Sequence, residues 1–212
     1  MSVRYSFGDY VKNPRAKAKN QMIIRLGGLC GIVGSVLTIV MVYAATIISP
    51  WFRWATNALS ELGVGEVSSI FNSAVMIGGV LNFLFAVGLR EYLGGRRLAK
   101  VGVALIMLGS ASLALVGVFT IAYPVLHSIV ALGEFVLAPI GFILIGFSAN
   151  DSAVKKLSIA TGIAALIAIL ILPVVLLALP FTVGFAVPEM IEALIVATWI
   201  IFMGTKLLTF RQ

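Results

Sequence analysis

Six long apolar runs dominate this chain and limit what it can fold into. Their approximate bounds are 26–48, 69–89, 100–122, 126–148, 157–179 and 187–208. A helix needs roughly 20 mainly apolar residues to cross about 30 Å of hydrocarbon, and each run meets that length. Hydrophobic residues make up 61% of the 212 residues and charged residues only 11%. These proportions exclude an ordinary soluble domain.

The apolar runs are expected to be helices. Lipid offers the backbone no hydrogen-bond partner, so only helices and closed barrels can span a membrane. The runs lack the alternation of polar and apolar residues that is typical of barrel strands. We therefore predict an all-α polytopic membrane protein, in which six transmembrane helices form one bundle over residues 26–212. A basic cytoplasmic tail, residues 1–25, is expected to precede the bundle.

The cations predict which way the bundle faces. Fourteen of the fifteen Lys and Arg residues flank the predicted spans on one side, and Arg53 alone falls on the other. Because Lys and Arg are retained on the cytoplasmic side during insertion, both termini are expected in the cytoplasm of a plasma-membrane protein. The cations are spread over every flank, so topology accounts for the net charge of +7. We therefore expect no nucleic-acid partner.

Small residues recur at four-residue spacing on the first two spans. They are Gly27, Gly31 and Ser35 on the first, and Gly78, Asn82 and Ala86 on the second. Such spacing lets helix backbones approach closely, which is how membrane helices associate without a hydrophobic drive between them. We interpret these stripes as seams within the bundle. Membrane lipids are the expected partners, and a homo-oligomer or larger membrane assembly stays open.

The connection between the first two spans, roughly residues 49–68, is more than a plain linker. Aromatic residues within 51–54 suit the headgroup level of a membrane. Asn57 is a residue type that caps helices, and it precedes a short stretch that could be helical. We predict that Asn57 caps this helix and that Leu59 and Leu62 turn toward the bundle.

Three short motifs carry a resemblance to a known family. They are Leu59-Ser60-Glu61-Leu62-Gly63 in the first outer connection, Phe71-Asn72 at the start of the second span, and His127 at the start of the fourth. With the six-span layout, the chain resembles the prokaryotic membrane proteins of domain-of-unknown-function family 998. The resemblance implies a fold and a layout but no activity. More distantly, the chain is similar to the eukaryotic Frag1, DRAM and Sfk1 membrane proteins.

Polar side chains collect toward the outer ends of three spans. His127 and Glu134 are seven residues apart, so they lie on nearly one face of the fourth span, with Glu134 about 10 Å deeper. Glu189 and Glu192 share a face at the outer start of the sixth span. The second span and the first outer connection add further polar groups: Asn57, Ser60, Glu61, Asn72 and Ser73. We expect these groups to converge on one pocket.

Glu134 is the residue that topology explains least. An ionised side chain at this depth costs roughly 2.5 to 3.5 kcal/mol on insertion scales unless it is paired or hydrated. Glu134 is therefore expected to face the bundle, either as a functional carboxylate or as a neutral acid hydrogen-bonded to a neighbouring helix. His127 could instead lie at the interface with one ring nitrogen in water. Glu189 and Glu192 could simply respond to the helix dipole, which favours negative charge at an N-terminus.

Two chemistries fit these residues. A hard-cation site would use His127, Glu134 and Glu192 as metal ligands. Acid–base work on a lipid headgroup would use Glu134 or Glu192 as base and His127 as orienting group. In that case Ser60 or Ser73 would be the nucleophile. The HExxH, GxSxG and Walker A motifs are absent, so whether the protein is an enzyme stays undecided.

These observations lead to one functional hypothesis with stated alternatives. We predict an outward-facing polar pocket that binds a lipid headgroup, a small polar ligand or a cation. The ligand-binding candidates are Asn57, Glu61, Asn72, His127, Glu134, Glu189 and Glu192. The alternatives are a membrane-embedded hydrolase and a non-catalytic assembly subunit. A transporter is less favoured because the two halves of the chain show no internal likeness. No cofactor is predicted, and a divalent cation stays open.

Overall fold

The computed structural model describes residues 14–177 and 184–211. Its helices are α1 (Pro14–Ile47), α2 (Ser68–Leu93), α3 (Arg97–Val116), α4 (Pro124–Ser148), α5 (Ser152–Leu166), α6 (Leu172–Leu177) and α7 (Ala186–Thr209). A π-helical turn, Ile167–Ile171, joins α5 to α6, and a 3₁₀ helix, Leu59–Gly63, lies between α1 and α2. Within the described ranges there is no strand, and six helical segments are long and apolar enough to cross a membrane. The predicted all-α, six-helix, multi-pass membrane architecture is confirmed.

The first helix is longer than its apolar run. α1 begins at Pro14, twelve residues before the predicted span, and its 34 residues measure about 51 Å. Proline is favourable at a first helical position, and the Ala and Lys residues of 16–19 are strong helix formers. The boundary drawn at residue 25 therefore falls inside one continuous helix. Charge marks where the hydrocarbon begins, but it does not mark where the helix begins.

The six spans form a closed ring. α1, α2, α3, α4, α5 and α7 contact one another in this order, and α7 closes the ring against α1. One end, here called the loop end, carries the 3₁₀ helix and the starts of α4 and α7. The other, the terminal end, carries the beginning of α1 and the end of α7. The loop half and the terminal half of the bundle are named after these ends.

Glycines permit the closest helix approaches in the ring. A Cβ atom at Gly27 would lie 2.7 Å from the Cα of Gly88, and a Cβ atom at Gly102 would lie 2.7 Å from the carbonyl oxygen of Gly141. Real Cβ atoms do not approach other atoms this closely, so any side chain would push the helices apart. The predicted role of Gly27 in a packing seam is confirmed.

Aromatic rings from three helices fill the interior of the terminal half. The rings of Phe142 and Trp199 stack with centroids 3.9 Å apart, and Phe85 meets Trp199 edge-on at 6.2 Å. All three side chains are fully buried. The indole Nε1 of Trp199 donates a hydrogen bond of 2.8 Å to the hydroxyl oxygen of Ser158. A buried Trp needs such a partner, so this half of the bundle is both filled and satisfied.

The fifth span contains a local widening beside a proline. Pro173 has no backbone N–H, and its ring would clash with the carbonyl of Ile169 in a regular α-helix. The π-helical turn immediately precedes this proline, and the N–H of Leu172 donates to the carbonyl oxygen of Ile167. A π turn is a common way to take up such a disruption without ending a helix.

The connection between α4 and α5 is anchored at the terminal end. Asp151 Oδ1 accepts hydrogen bonds from the N–H groups of Ala153 and Val154, which caps α5. Its Oδ2 lies 2.8 Å from Lys206 Nζ on α7. The hydrogen bond from Lys206, followed by the one from the N–H of Val154, holds the pKa of Asp151 below its usual range.

Candidate functional site

A cavity of about 110 Å³ lies in the loop half of the ring, between α1, α2, α3, α4, α7 and the 3₁₀ helix. Thirteen of its twenty lining residues are apolar. The polar ones are Ser35, Thr38, Ser60, Asn82, His127, Glu134 and Glu189. An engineered cavity of about 150 Å³ holds a benzene molecule, which has six non-hydrogen atoms, so this one has room for a group of roughly four such atoms. A headgroup or a small molecule fits that space, and a whole phospholipid does not.

The loop above the cavity is organised by the carboxylate of Glu61. Its two oxygens accept hydrogen bonds from the N–H of Ala58, at 2.7 Å, and from the side-chain amide of Asn57, at 2.6 Å. The side-chain oxygen of Asn57 accepts from the N–H of Arg53. The prediction that Asn57 caps the short helix is wrong, because Ala58 occupies the capping position and Glu61 satisfies its N–H. Asn57 and Glu61 stabilise the loop, and neither lines the cavity.

The same loop is attached to the start of α7. The N–H of Leu59 donates a 2.6 Å hydrogen bond to Glu189 Oε2, and the N–H of Ala186 donates to the carbonyl oxygen of Asn57. Leu59 and Leu62 are buried against the bundle, as predicted. A Cβ atom at Gly184 would lie 2.3 Å from the carbonyl oxygen of Asn57, so only glycine fits there. These contacts hold Glu189 at the upper edge of the cavity.

His127 is held in one tautomer. Its Nδ1 lies 2.8 Å from the carbonyl oxygen of Phe119. A carbonyl can only accept, so Nδ1 carries the hydrogen and, in the neutral ring, Nε2 presents a lone pair. His127 lines the cavity, and Nε2 has no hydrogen-bond partner in the described part of the chain. The ring therefore offers an acceptor to whatever occupies the space.

Two further acids complete this region, and neither is paired. Glu134 lines the cavity from α4 and makes no hydrogen bond to residues 14–177 or 184–211. Glu192 is 1% exposed, and both of its carboxyl oxygens lack a partner among the described residues. Glu192 lies near enough to Glu134 and Glu189 for the three carboxyl groups to repel one another when ionised. It is buried beside the cavity but does not line it.

Deeper in the cavity, two polar side chains are also unsatisfied. Ser35 is 3% exposed and Asn82 is 7% exposed, and both line the cavity. Ser35 Oγ and Asn82 Oδ1 have no hydrogen-bond partner in the described ranges. Buried polar atoms almost always pair with protein or with water, so these two atoms are exceptions within the described ranges. Both residues were predicted to lie in packing seams, and Asn82 does lie against Gly34 of α1. Its position at the cavity was not predicted, although an amide in an apolar span was the available signal.

Other predicted site residues lie elsewhere. Ser73 is exposed on the outer surface of α2 and does not line the cavity. Asn72, its neighbour, donates from its side-chain amide to the carbonyl oxygen of Gly63 at 3.1 Å, which ties α2 to the 3₁₀ helix. Ser60 does line the cavity. The structure thus brings Ser60, His127 and Glu134 to one space but leaves Ser73 outside it.

The metal-ligand candidates are only partly brought together. Across residues 14–177 and 184–211, no group of three or more His, Cys, Asp or Glu residues is placed to hold a metal ion. His127 and Glu134 line the cavity, whereas Glu192 is buried beside it.

The comparisons with known proteins identify a family. A family described as "Protein of unknown function (DUF998)" matches residues 32–206, which is most of the chain. No curated protein and no solved structure is significantly similar to the chain. The resemblance to family 998 is confirmed, and the more distant likeness to the Frag1, DRAM and Sfk1 proteins is not.

Proposed function

We propose that this chain, which belongs to the DUF998 family, is a membrane-embedded binding protein whose cavity takes a lipid headgroup or a small polar ligand. The observation that carries the proposal is the contrast within the bundle interior. The terminal half is filled by packed aromatic rings, whereas the loop half contains a cavity of about 110 Å³ with polar groups on its wall.

The energetics of the loop half support an occupant. Glu192 is fully buried and Glu134 is half-buried at the cavity, and neither has a hydrogen-bond partner in the described part of the chain. A buried charge without a partner costs several kcal/mol, and even a neutral unpaired polar group costs about 1–3 kcal/mol. A ligand that bonds to these groups would recover part of that cost. The acids are then understood as components of a binding site.

The cation distribution supports a direction for the site. If Lys and Arg mark the cytoplasmic side, the loop end faces out of the cell and the cavity opens toward the outer leaflet of the plasma membrane. Ligands would then reach the cavity from the external medium or from the outer leaflet. Labelling of a cysteine introduced at the exposed Glu66, by a reagent that cannot cross the membrane, tests this orientation in intact cells.

A hydrolase receives less support from the same residues. Ser60 and His127 both line the cavity, and the tautomer of His127 leaves Nε2 free of a proton, as a general base requires. The described residues include no hydrogen bond between Ser60 and His127, so a nucleophile and its base are not assembled. An assembly subunit would need no cavity at all.

The binding proposal is tested with three probes that share a decyl chain: decylammonium, decanol and decanoate. The protein is held in nanodiscs, and the thermal unfolding midpoint is measured against probe concentration. Ala193 lines the cavity, so Ala193→Leu fills the space, whereas Ala104 faces outward and Ala104→Leu makes the same change at the lipid surface. All variants experience the same partitioning of probe into lipid.

We expect at least one probe to stabilise the wild type and Ala104→Leu in a saturable manner and to leave Ala193→Leu unaffected. The physical reason is that only the cavity distinguishes the two substitutions. Identical responses of all three proteins to all three probes would overturn the proposed binding function.

A further inference from the structure

We infer that the group bound in the cavity is a primary ammonium, carried by a lipid headgroup or by a small free amine. The inference rests on the proposed function and adds the chemical class of the ligand. It follows from the signs of the charges at the cavity, from the hydrogen-bonding capacity of its wall, and from the unsatisfied atoms at its base.

The charges at the cavity have one sign. Glu134 and Glu189 line it and Glu192 lies beside it, whereas no Lys or Arg is among its described lining residues. Across the described ranges, the ion pair of Lys206 with Asp151 is the single one, and it lies at the opposite end of the bundle. A phosphate or carboxylate headgroup would bring a further negative charge into a site without a cation. A cation would instead supply the missing partner, because an opposite charge favours the ionised form of a buried carboxyl group.

Several groups of the wall are acceptors with free lone pairs, and the hydroxyls of Ser35 and Ser60 can accept as well as donate. His127 Nε2 has a lone pair because Nδ1 donates to Phe119. One carboxyl oxygen of Glu189 is used by the N–H of Leu59, and the hydroxyl of Thr38 donates to the carbonyl oxygen of Gly34, which leaves lone pairs on both side chains. A primary ammonium carries three N–H donors and no acceptor, which complements such a wall. A quaternary ammonium lacks these donors and would leave the acceptors unsatisfied.

An observation independent of the acids points the same way. Asn82 lines the cavity, and its Oδ1, which lies against Gly34 of α1, has no hydrogen-bond partner in the described part of the chain although the residue is more than nine-tenths buried. Ser35 Oγ also has no hydrogen-bond partner among the described residues, and Ser35 is likewise more than nine-tenths buried. Aromatic side chains of Phe71 and Phe135 form part of the apolar wall, and ring faces attract cations. The space thus suits a donor-bearing cation with an alkyl substituent better than it suits a metal ion, which needs a full ligand shell.

The test compares ligands that differ only in the head. Decylammonium, decanol and decanoate are titrated at neutral pH against the protein in nanodiscs of neutral lipid, and apparent affinities are taken from the saturation of the unfolding midpoint. The variants are Glu134→Gln and Glu189→Gln, each of which removes a charge at nearly constant volume. Asp151→Asn removes a carboxylate at the opposite end as the matched control.

We expect decylammonium to bind at least tenfold more tightly than decanoate to the wild type and to Asp151→Asn. The ratio of the affinity for decylammonium to the affinity for decanoate should fall about tenfold or more in Glu134→Gln or Glu189→Gln. The reason is that loss of one partner of a charge pair weakens binding. Unfolding without probe verifies that each variant is folded. Competition by ethylammonium would identify a free amine as the ligand, and the need for the decyl chain would identify a lipid headgroup. Either result supports the ammonium assignment.

Two outcomes would overturn the inference in distinguishable ways. Equal binding of the three heads, abolished by Ala193→Leu, would leave the binding function intact and exclude selection for an ammonium. Protection by calcium chloride but not by decylammonium would assign the site to a metal ion. If no probe distinguished the wild type from Ala193→Leu, the proposed binding function itself would fail.

Discussion

The two halves of this bundle are built from the same six spans, but they are packed differently. In the terminal half, Phe85, Phe142 and Trp199 meet at the centre, and the indole N–H is satisfied by Ser158. In the loop half, the centre is a cavity with unpaired carboxyl, amide and hydroxyl groups on or beside its wall. The interior of the bundle is therefore tightly packed toward one end and hollow toward the other.

Helix α4 shows the contrast within a single element. Residues 124–137 of α4 are all described, and none of them is buried, whereas six residues between 138 and 146 are buried. The first stretch contains His127 and Glu134 and lines the cavity, and the second contains Phe142 and lines the aromatic core. One helix is therefore fixed at its terminal end and loosely packed at its loop end. Regions that bind ligands are commonly drawn from the less stable parts of a fold.

The largest effect is expected from removing the aromatic core. Phe142→Ala deletes a fully buried ring that stacks on Trp199, and such truncations lower the free energy of unfolding by about 3–5 kcal/mol. The measurement is equilibrium unfolding of the protein in nanodiscs or mixed micelles. Leu132→Ala, at a position that is 59% exposed on the loop half of α4, is the control and should cost far less. Equal losses in the two variants would contradict the division of the bundle into a packed and a hollow half.

A somewhat smaller effect is expected at the helix crossings. A Cβ at Gly102 would lie 2.7 Å from the carbonyl oxygen of Gly141, so Gly102→Ala should lower the free energy of unfolding by about 1–3 kcal/mol. Gly95 has open space around the same position, and Gly95→Ala serves as the control. A neutral result for Gly102→Ala would show that α3 and α4 can separate without loss.

Removing the acid buried beside the cavity should raise the free energy of unfolding, whereas the two substitutions above lower it. Glu192→Leu replaces an unpaired carboxyl group with an apolar side chain, which is expected to raise the free energy of unfolding by about 0.5–2 kcal/mol in the absence of ligand. In the terminal half, Ser158→Ala also replaces a polar group with an apolar one. It should instead lower stability, because it leaves the Trp199 N–H without its acceptor. If both substitutions destabilised the protein alike, the acids would be structural.

The smallest effect is expected at the exposed ion pair of the terminal end. Asp151→Asn keeps an oxygen that can cap α5 but loses the charge that pairs with Lys206, and exposed pairs contribute little. The pKa of Asp151 is lowered in the folded protein by the hydrogen bond from Lys206. Its carboxylate therefore stabilises the fold above the pKa of the unfolded chain, and the contribution disappears as the pH falls through the folded pKa. The difference in unfolding free energy between wild type and Asp151→Asn should shrink on acidification. If the difference in unfolding free energy grew on acidification instead, folding would raise the pKa of Asp151 rather than lower it.

The sequence was sufficient for the spans and for part of the loop. Apolar runs reveal spans because hydrocarbon requires their length, and Leu59 and Leu62 could be oriented because short helices in contact with a bundle bury their apolar face. The start of α1 could not be predicted from hydropathy, because a helix can continue in water beyond the membrane. The division of polar residues between loop and cavity also could not be predicted, since Asn57 and Glu61 find each other only once the loop is folded.

Two neighbouring residues on α2 show more clearly what could not be predicted from the sequence. Asn72 and Ser73 are adjacent, but one residue turns a helix by about 100°, so Asn72 bonds to Gly63 while Ser73 is exposed on the outside. Asn82 has the spacing of a seam residue, and it lines a cavity because the facing side chains leave space at that depth. Spacing defines a face of a helix, but the partner across the interface decides whether that face is packed.

The most direct test of the account is one small-to-large change made in each half. Ala193→Leu adds volume at the cavity, and Ala86→Leu adds the same volume to the aromatic core of the terminal half. We expect Ala193→Leu to raise the free energy of unfolding by about 0.5–2 kcal/mol and Ala86→Leu to lower it by about 1–3 kcal/mol. Equal destabilisation by the two substitutions would mean that the loop half is as tightly packed as the terminal half, which would contradict the proposed binding site.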